Sequence, residues 1–161
     1  MTDDPDPQWL DDDDQRTWRA FLLAAHRVEA ALDRQLQQNA GMPHSHYAVL
    51  VMLSEADERT IRMGQLAERL GFSASRLAHA AKRMEANGWI RRRPCPDDAR
   101  GQLAVMTDGG ERALAAAAPG HVALVRRILV DTTTAPERRS LADVLGRMVA
   151  ATGDRDRGGE G

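Results

Sequence analysis

The sequence predicts a mainly α-helical fold with one small β-hairpin. Apolar residues recur every three or four positions toward both ends of the chain, which is the spacing of helices that bury one face. In the middle, two short apolar runs flank a polar turn rich in proline and aspartate, as in a hairpin. The 161 residues suffice for one compact domain, or for one domain with a small appendage.

The two ends of the chain are predicted to stay outside the fold. Seven of the first fourteen residues are aspartates and none is basic, so residues 1–15 are predicted to form a disordered acidic segment. Residues 151–161 are charged and glycine-rich and are predicted to form a flexible tail. The N-terminus lacks the basic region and apolar core of a signal peptide, and no apolar stretch is expected to reach the roughly 18 to 20 residues that cross a bilayer. We therefore expect a cytoplasmic protein with no membrane partner.

Two helices are predicted after the acidic segment. The first runs for about twenty residues from Trp18 and ends before Gly41 and Pro43. The apolar run Tyr47–Leu53 is assigned to a second helix, because no helix-breaking residue interrupts it. Ser45 is the expected N-cap of that helix.

A helix-turn-helix pattern follows. Ile61–Met63 is too short for more than a small strand or a lead-in. Gly71 is expected to end the first helix of the pair as a C-cap residue, and Ser73 to begin the second, the predicted recognition helix, as its N-cap. The residues predicted to face inward from the two helices are Leu66, Ala67, Leu70, Leu77, Ala81 and Met84.

The predicted hairpin, or wing, joins strands at Trp89–Arg93 and Leu103–Met106. Thr107 can cap a long helix after it. Pro119 is expected to kink that helix, because proline lacks the amide donor and clashes with the preceding turn. Thr134–Glu137 has the spacing of a capping box and precedes a last amphipathic helix.

Positive charge is concentrated in the helix-turn-helix and wing. Glu58–Thr107 contains ten basic and five acidic residues, a net charge of +5, whereas the whole chain has a net charge of −2. Such an asymmetry indicates a surface that faces nucleic acid.

The long apolar helices at both ends need a partner surface. We expect residues 16–56 and 108–150 to form a helical dimerisation region, in which a second copy of the chain covers these helices. Residues 57–107, the winged helix-turn-helix lobe, would then stay exposed on each subunit. Two lobes related by a twofold axis would meet successive major grooves roughly 34 Å apart. The sequence therefore predicts a palindromic site on double-stranded DNA.

Several polar residues of the recognition helix lie on the side away from its inward face. They are Ser75, Arg76, His79, Lys82 and Arg83. Arg76 and His79 are predicted to contact base edges, since arginine can bond guanine in a bidentate fashion. The residues predicted to hold phosphates are Ser73, Ser75, Lys82 and Arg83. At the stem of the wing, additional positive field comes from Arg91, Arg92 and Arg93.

The arrangement resembles the MarR family of winged helix-turn-helix regulators over about residues 18–150. The matching segments are Met63–Gly71, Ser73–Leu77, Arg83–Ile90 and, most specifically, the wing Asp98-Ala99-Arg100-Gly101 followed by Leu103–Gly110. The resemblance implies a DNA-binding repressor in which Arg100 enters the minor groove and Asp98 orients that arginine or the turn. The sequence departs from the common family pattern at Ala78, His79 and Lys82, so the base preference of relatives cannot be carried over.

The resemblance also implies an effector. Small aromatic or phenolic acids relieve repression in this family by binding between the dimer helices and the DNA-binding lobe. Candidate contacts for such an effector are His26, Arg27, His44, His46, Tyr47 and Met52. A histidine or an arginine at that junction could bind a carboxylate.

Other functions find less support in the residues. His44 and His46 lack the further ligands that a zinc site needs, so no metal or cofactor is expected. No nucleotide loop, nucleophile elbow or zinc-protease motif occurs in the sequence, and we do not expect an enzyme. Two alternatives stay open: a winged-helix adapter that binds protein instead of DNA, and a redox-responsive regulator in which the field of Arg91–Arg93 activates Cys95.

Overall fold

The computed structural model describes residues 8–96 and 98–153, except for the side chains of Ala99, Arg100 and Gly153. The helices in this part of the chain are α1 (Asp12–Ala40), α2 (His44–Ser54), α3 (Met63–Leu70), α4 (Ala74–Ala86), α5 (Asp108–Val125) and α6 (Ala135–Gly153). A 3-10 turn occupies Asp57–Arg59 and a π-helical stretch occupies Arg126–Val130. The strands are β1 (Thr60–Arg62), β2 (Ile90–Cys95) and β3 (Asp98–Met106). The prediction of a mainly helical chain with a small hairpin is confirmed.

The wing is the larger part of a three-stranded antiparallel sheet with strand order β1-β3-β2. Ile90 pairs with Met106 at the base of the hairpin, and the register becomes irregular between Pro94 and Cys95. Ile61, in the segment that could have been a lead-in, forms a strand and pairs with Ala104 of β3. The central strand thus ties the hairpin to the segment that precedes α3.

One hydrophobic core joins α2, α3, α4 and the sheet. Its most completely buried side chains are Leu36, Met42, Val49, Leu50, Leu53, Leu66, Leu77 and Met84. Fully burying a leucine contributes about 1.5 to 3 kcal/mol, so this cluster dominates the stability of the lobe. Helix α2, which the sequence assigned to the dimerisation region 16–56, therefore shares its core with residues 57–107.

Helix α1 begins earlier than predicted. The carboxylate of Asp11 accepts a hydrogen bond from the Asp14 amide at 2.8 Å, and the helix starts at Asp12 rather than near Trp18. Three aspartates in the first turn interact favourably with the positive end of the helix dipole. The acidic run that suggested disorder is thus in part a helix start. Residues 1–7 and 154–161, which complete the two predicted terminal segments, lie outside the described residues.

The predicted caps Gly71 and Ser73 are confirmed, and the predicted cap Ser45 is wrong. Gly41 and Gly71 end α1 and α3 in the left-handed conformation, at φ 60° and 62°, where a glycine carries no steric penalty. Ser73 caps α4 and accepts a hydrogen bond from the Arg76 amide at 3.2 Å. Ser45 does not cap α2, because the helix begins one residue earlier, at His44, whose amide donates to the carboxylate of Asp33 on α1 at 2.9 Å.

Residues 1–118 and 119–161 form two compact units. Helix α5 begins beside Thr107, which accepts a hydrogen bond from the Gly110 amide at 3.1 Å. The helix continues through Pro119 as an α-helix to Val125, and the departure from α-helical geometry comes at Arg126–Val130 instead. Pro119 therefore does not interrupt α5, and the π-helical stretch at Arg126–Val130 is a separate irregularity that the sequence did not predict.

The second unit ends in α6, and its start follows the predicted capping spacing. The carboxylate of Glu137 accepts hydrogen bonds from the amide and the hydroxyl of Thr134, at 2.7 and 2.8 Å. These bonds lower the pKa of Glu137 below its ordinary value, the bond from the Thr134 amide having the largest effect.

One helical stretch contradicts the expectation about apolar length. The helical stretch Asp108–Val130 has 23 residues and contains an 18-residue window with a mean hydropathy of 1.4, so it is long and apolar enough to cross a membrane by length and composition. The stretch is easily overlooked because alanines supply most of residues 113–118, and each alanine is only weakly apolar. Length and composition alone are weak support for a span, since helices that pack against protein satisfy the same criterion.

Candidate nucleic-acid interface

Helix α4, the predicted recognition helix, has one buried and one exposed face. Leu77, Ala81 and Met84 are at most 2% exposed and anchor it to the core, as predicted. The exposed residues of the opposite side are Ser75, Arg76, His79, Lys82 and Arg83. Helical periodicity produces this separation, because residues three and four apart share a face. The residues that the sequence assigned to DNA contacts on this helix therefore share one solvent-facing surface.

The start of α4 holds its first arginine in place. The guanidinium carbon of Arg76 lies 4.0 Å from the centre of the Phe72 ring, a cation–π contact. The Ser73 and Ser75 hydroxyls are 3.2 Å apart, and Ser73 also caps the helix. Because its guanidinium already rests on an aromatic face, Arg76 loses less conformational freedom when it binds a base or a phosphate.

The end of α4 is tied to the wing by an ion pair. Glu85 accepts hydrogen bonds from the Arg92 amide and from Nε, both at 2.9 Å, and its Oε2 lies 2.7 Å from Nη2. The side-chain hydrogen bond from Arg92 lowers the pKa of Glu85, and the same bond raises the pKa of Arg92. Side chains alternate along a strand, so Arg92 turns toward α4 while its neighbours Arg91 and Arg93 are exposed on the other face.

The turn of the wing is built around Asp98. Its Oδ2 lies 4.0 Å from Nη1 of Arg62 on β1, a loose ion pair. A Cβ atom at Gly101 would come within 2.7 Å of the same oxygen and 3.0 Å of the Cys95 Cβ, so a larger residue here would require neighbouring atoms of the turn to shift. The side chain of Arg100 lies outside the described residues, so its predicted contact with Asp98 stays a prediction.

Cys95 lies at the end of β2 and is only 6% exposed. Reactive cysteines need access to solvent as well as a positive surrounding. The burial of this thiol therefore gives no support to the redox-responsive alternative.

The six candidate effector contacts are not gathered into one site. His26 and Arg27 are exposed on α1, and Met52 packs partly buried against the core. His44 lies on α2 with its Nδ1 2.9 Å from Glu29 Oε2. Tyr47 is 6% exposed, and this burial raises the pKa of its hydroxyl. No group of three or more metal-ligating side chains occurs within residues 8–96 and 98–153.

His46, the remaining candidate, lies beside the predicted recognition helix instead. It is 4% exposed, and its ring meets the Trp89 ring edge to face at 6.2 Å between centres. Together with Ser45 it lines a recess beside Arg76, His79 and Arg83 of the recognition helix. Burial lowers the pKa of His46, and the nearby charge of Arg83 lowers it further.

A contact that the sequence does not predict joins the start of β1 to α5. Arg59, next to β1, donates two hydrogen bonds to the carboxylate of Glu111 on α5, at 2.8 and 2.9 Å. Glu58 and Arg59 both adopt positive φ, 50° and 53°, which is strained for residues with a side chain. Arg59 and Glu111 are 52 positions apart, and no local sequence pattern predicts a contact over that separation.

Comparison with known proteins decides the family. Residues 40–101 match the MarR family. The chain is 46% identical to Sco3205, a MarR family transcriptional regulator from Streptomyces coelicolor whose structure was solved in complex with DNA. The match covers 89% of this chain and 90% of that one, with a TM-score of 0.84. This chain belongs to the MarR family. It is a DNA-binding transcriptional regulator with a winged-helix fold, and not an enzyme.

Two further relatives agree with this assignment. AbsC, a MarR family transcriptional regulator from Streptomyces coelicolor, is 34% identical over 91% of this chain and 98% of that one, with a TM-score of 0.84. YdgJ, an uncharacterised HTH-type transcriptional regulator from Bacillus subtilis (strain 168), is 30% identical over 128 residues, which are 80% of this chain and 76% of that protein. The MarR family resemblance predicted from the wing and the helix-turn-helix is confirmed.

Proposed function

We propose that this MarR family protein is a homodimeric, cytoplasmic repressor that binds a palindromic operator. The observation that carries the proposal is the exposed face of α4, where Arg76, His79, Lys82 and Arg83 project on the side opposite the core. A helix so anchored can enter a major groove without any loss of packing.

The dimer is supported by apolar side chains that stay exposed on a single copy of the chain. The large ones in the terminal helices are Trp18, Leu22, Leu23, Val122, Leu129, Leu141, Val144 and Val149. Exposed apolar surface of this extent marks an interface, and it accounts for the long apolar helix Asp108–Val130 without a membrane. A second copy is the partner because the twofold axis then presents two recognition helices to successive major grooves.

The roles of the DNA-facing residues follow from chemistry and position. Arg76 and His79 contact base edges, and Ser73, Ser75, Lys82 and Arg83 hold phosphates. Arg100 enters the minor groove from the wing, where a narrow groove attracts a guanidinium. Arg91 and Arg93 add positive field beside it. Arg92 supports the wing through Glu85 rather than by a contact with DNA.

A small acidic effector relieves repression in this proposal, and membership of the MarR family supports it. The candidate contacts to test first are His26 and Arg27, because both side chains are exposed on α1. Addition of benzoate to a protein–operator complex tests this proposal. If benzoate dissociates the wild-type complex but not the Arg27→Gln complex, the effector is supported. If the wild-type complex is unchanged, an effector of this class is refuted.

The operator is tested by selection of bound duplexes from a random library at two salt concentrations. We expect an enriched palindrome, and a log–log salt slope of about −7 if the dimer neutralises roughly eight phosphates. Arg76→Ala should abolish the enrichment while the dimer persists in size-exclusion chromatography. A wild-type dimer that enriches no sequence would instead favour the protein-binding adapter.

A further inference from the structure

A recess of about 270 Å³ lies between the start of α2 and the exposed side of α4. Its lining residues are Ser45, His46, Arg76, His79, Ala80 and Arg83. None of these six residues is acidic and two are arginines, so the recess is suited to an anion.

His46 is the buried polar group of this recess. The residue is 96% buried, and its Nδ1 has no hydrogen-bond partner within the described part of the chain. A buried polar atom without a partner is unfavourable, so such atoms commonly mark a place that a ligand or a water fills. The edge-to-face contact with Trp89 fixes the plane of the ring.

The start of α2 adds a second set of donors. Pro43 occupies the cap position and provides no side-chain acceptor for the first turn. The His44 amide is already bonded to Asp33, and the amides of His46 and Tyr47 are bonded to the Pro43 carbonyl. Among the described residues, the Ser45 amide has no backbone acceptor. The positive end of this 11-residue helix therefore reinforces the field of the two arginines.

We propose that this recess binds one backbone phosphate of the operator, with Ser45 and His46 Nδ1 donating from α2 and with Arg83 closing over it from α4. Arg76, at the edge of the recess, adds positive charge there and keeps its proposed contact with a base edge. The inference rests on the proposed entry of α4 into a major groove. Both strands of the backbone flank a helix in that position, and the recess opens beside the same side chains that face the groove. A DNA phosphate therefore reaches the recess without displacing any packed residue.

The charge state of His46 should follow phosphate binding. In the free protein, burial and Arg83 hold the pKa of His46 below 6.5 and favour the neutral ring. The charged or titratable groups that face it from α4 are Arg76, His79 and Arg83. A phosphate between these groups raises the pKa of His46, so binding takes up protons. Affinity is then higher below the free pKa and decreases as the pH rises through the pKa of the complex.

The test measures operator affinity by fluorescence anisotropy with three variants and a control. His46→Phe keeps a ring against Trp89 but removes Nδ1, and it should weaken binding about tenfold per recess, the effect of one hydrogen bond to a charged group. His46→Asn places an amide donor near the position of Nδ1 and should restore affinity at pH 7.5 to within about threefold of wild type. Because asparagine does not titrate, its affinity should respond less to lower pH than that of wild type.

Ser45→Ala is the third variant. Because Ser45 is only partly buried, this substitution should remove the hydroxyl without unfolding the chain. It should weaken binding several-fold. Arg34→Gln removes an exposed positive charge from α1, outside the recess, and should bind like wild type. Circular dichroism and thermal melts identify any variant that fails to fold.

The possible outcomes separate the recess from the proposed function. If wild type binds an operator, and the folded variants His46→Phe and Ser45→Ala both bind it with affinities within twofold of wild type, the phosphate site is refuted. The proposed function as a DNA-binding regulator is then unaffected. If wild type selects no duplex, both proposals fail. The imidazole NMR signal of His46 should move with operator DNA but not with benzoate or inorganic phosphate. A response to benzoate with DNA affinity unchanged in His46→Phe would assign the recess to a free anion and overturn the proposal.

Discussion

The ion pair between Glu85 and Arg92 should stabilise the lobe and hold the wing at a fixed distance from the recognition helix. Three contacts of 2.7 to 2.9 Å join the two residues, one of them from the backbone amide of Arg92. The side chains are 29% and 33% exposed, so solvent screens the pair only in part. Alanine at either position removes the charge pair, but only Glu85→Ala also removes the acceptor of the Arg92 amide.

The expected coupling follows from these contacts. Hydrogen bonds to charged groups contribute about 1.5 to 3 kcal/mol, whereas exposed ion pairs contribute about 0.2 to 1 kcal/mol. A partly exposed, doubly bonded pair lies between these limits, at about 1.5 kcal/mol. For a chain of this size, that free energy corresponds to a decrease in melting temperature of roughly 3 to 6 °C. Glu85→Ala should cost more than Arg92→Ala because of the lost backbone bond.

A double-mutant cycle in urea measures this coupling. The free energies of unfolding of wild type, Glu85→Ala, Arg92→Ala and the double variant give the interaction energy directly. Arg91→Ala is the matched control on the same strand: it should change stability by less than about 0.5 kcal/mol. A coupling energy below about 0.3 kcal/mol would refute the assignment of Arg92 as a support of the wing.

Further predictions concern pH, backbone packing and assembly. Arg92 holds the pKa of Glu85 below 4.5. The ion pair therefore stabilises the fold above pH 4.5, and this stabilisation should be lost as the pH falls through the folded-state pKa of Glu85. Measured stabilities of wild type and Glu85→Gln should thus converge at low pH. Gly110→Ala should destabilise the lobe strongly or prevent folding, since its Cβ would clash with the Trp89 carbonyl oxygen. Gly64→Ala is the control: a Cβ there would meet nothing within 4 Å, so in urea titrations it should stabilise the lobe by roughly 0.5 to 1 kcal/mol. Leu22 is 46% exposed on a single copy of the chain. Leu22→Glu should convert the proposed dimer to a monomer in analytical ultracentrifugation without a change in helical content. A dimer that persists would argue against α1 in the interface.

The sequence predicts the elements well where one local rule decides them. Gly71 ends α3 and Ser73 begins α4 because a left-handed glycine and a capping hydroxyl act within a few residues. The start of α2 was placed wrongly for the opposite reason. The residue that bonds its first amide, Asp33, lies on another helix, and no local pattern identifies a cap supplied from a distance of 11 residues.

The candidate site shows the same division. Periodicity alone places Arg76 and His79 on the exposed side of α4, since Leu77 and Met84 must face the core. It does not reveal that Arg92 is engaged by Glu85, or that His46 lies beside the recognition helix rather than near the dimer helices. Both facts depend on how separate elements pack.

The packing of α2 explains how a regulator of this size can hold its DNA-facing surface rigid. Val49 and Leu50 of α2 share one core with Leu77 and Met84 of α4, so the two helices cannot move independently without opening a cavity. A cavity from a lost leucine contact costs about 2 to 5 kcal/mol, more than a typical hydrogen bond to a phosphate contributes. The groups at the start of α2 and on the outside of α4 are therefore presented to DNA in one fixed geometry. In the proposed homodimer, we therefore expect an effector to act on the spacing of the two lobes rather than on the surface of either one.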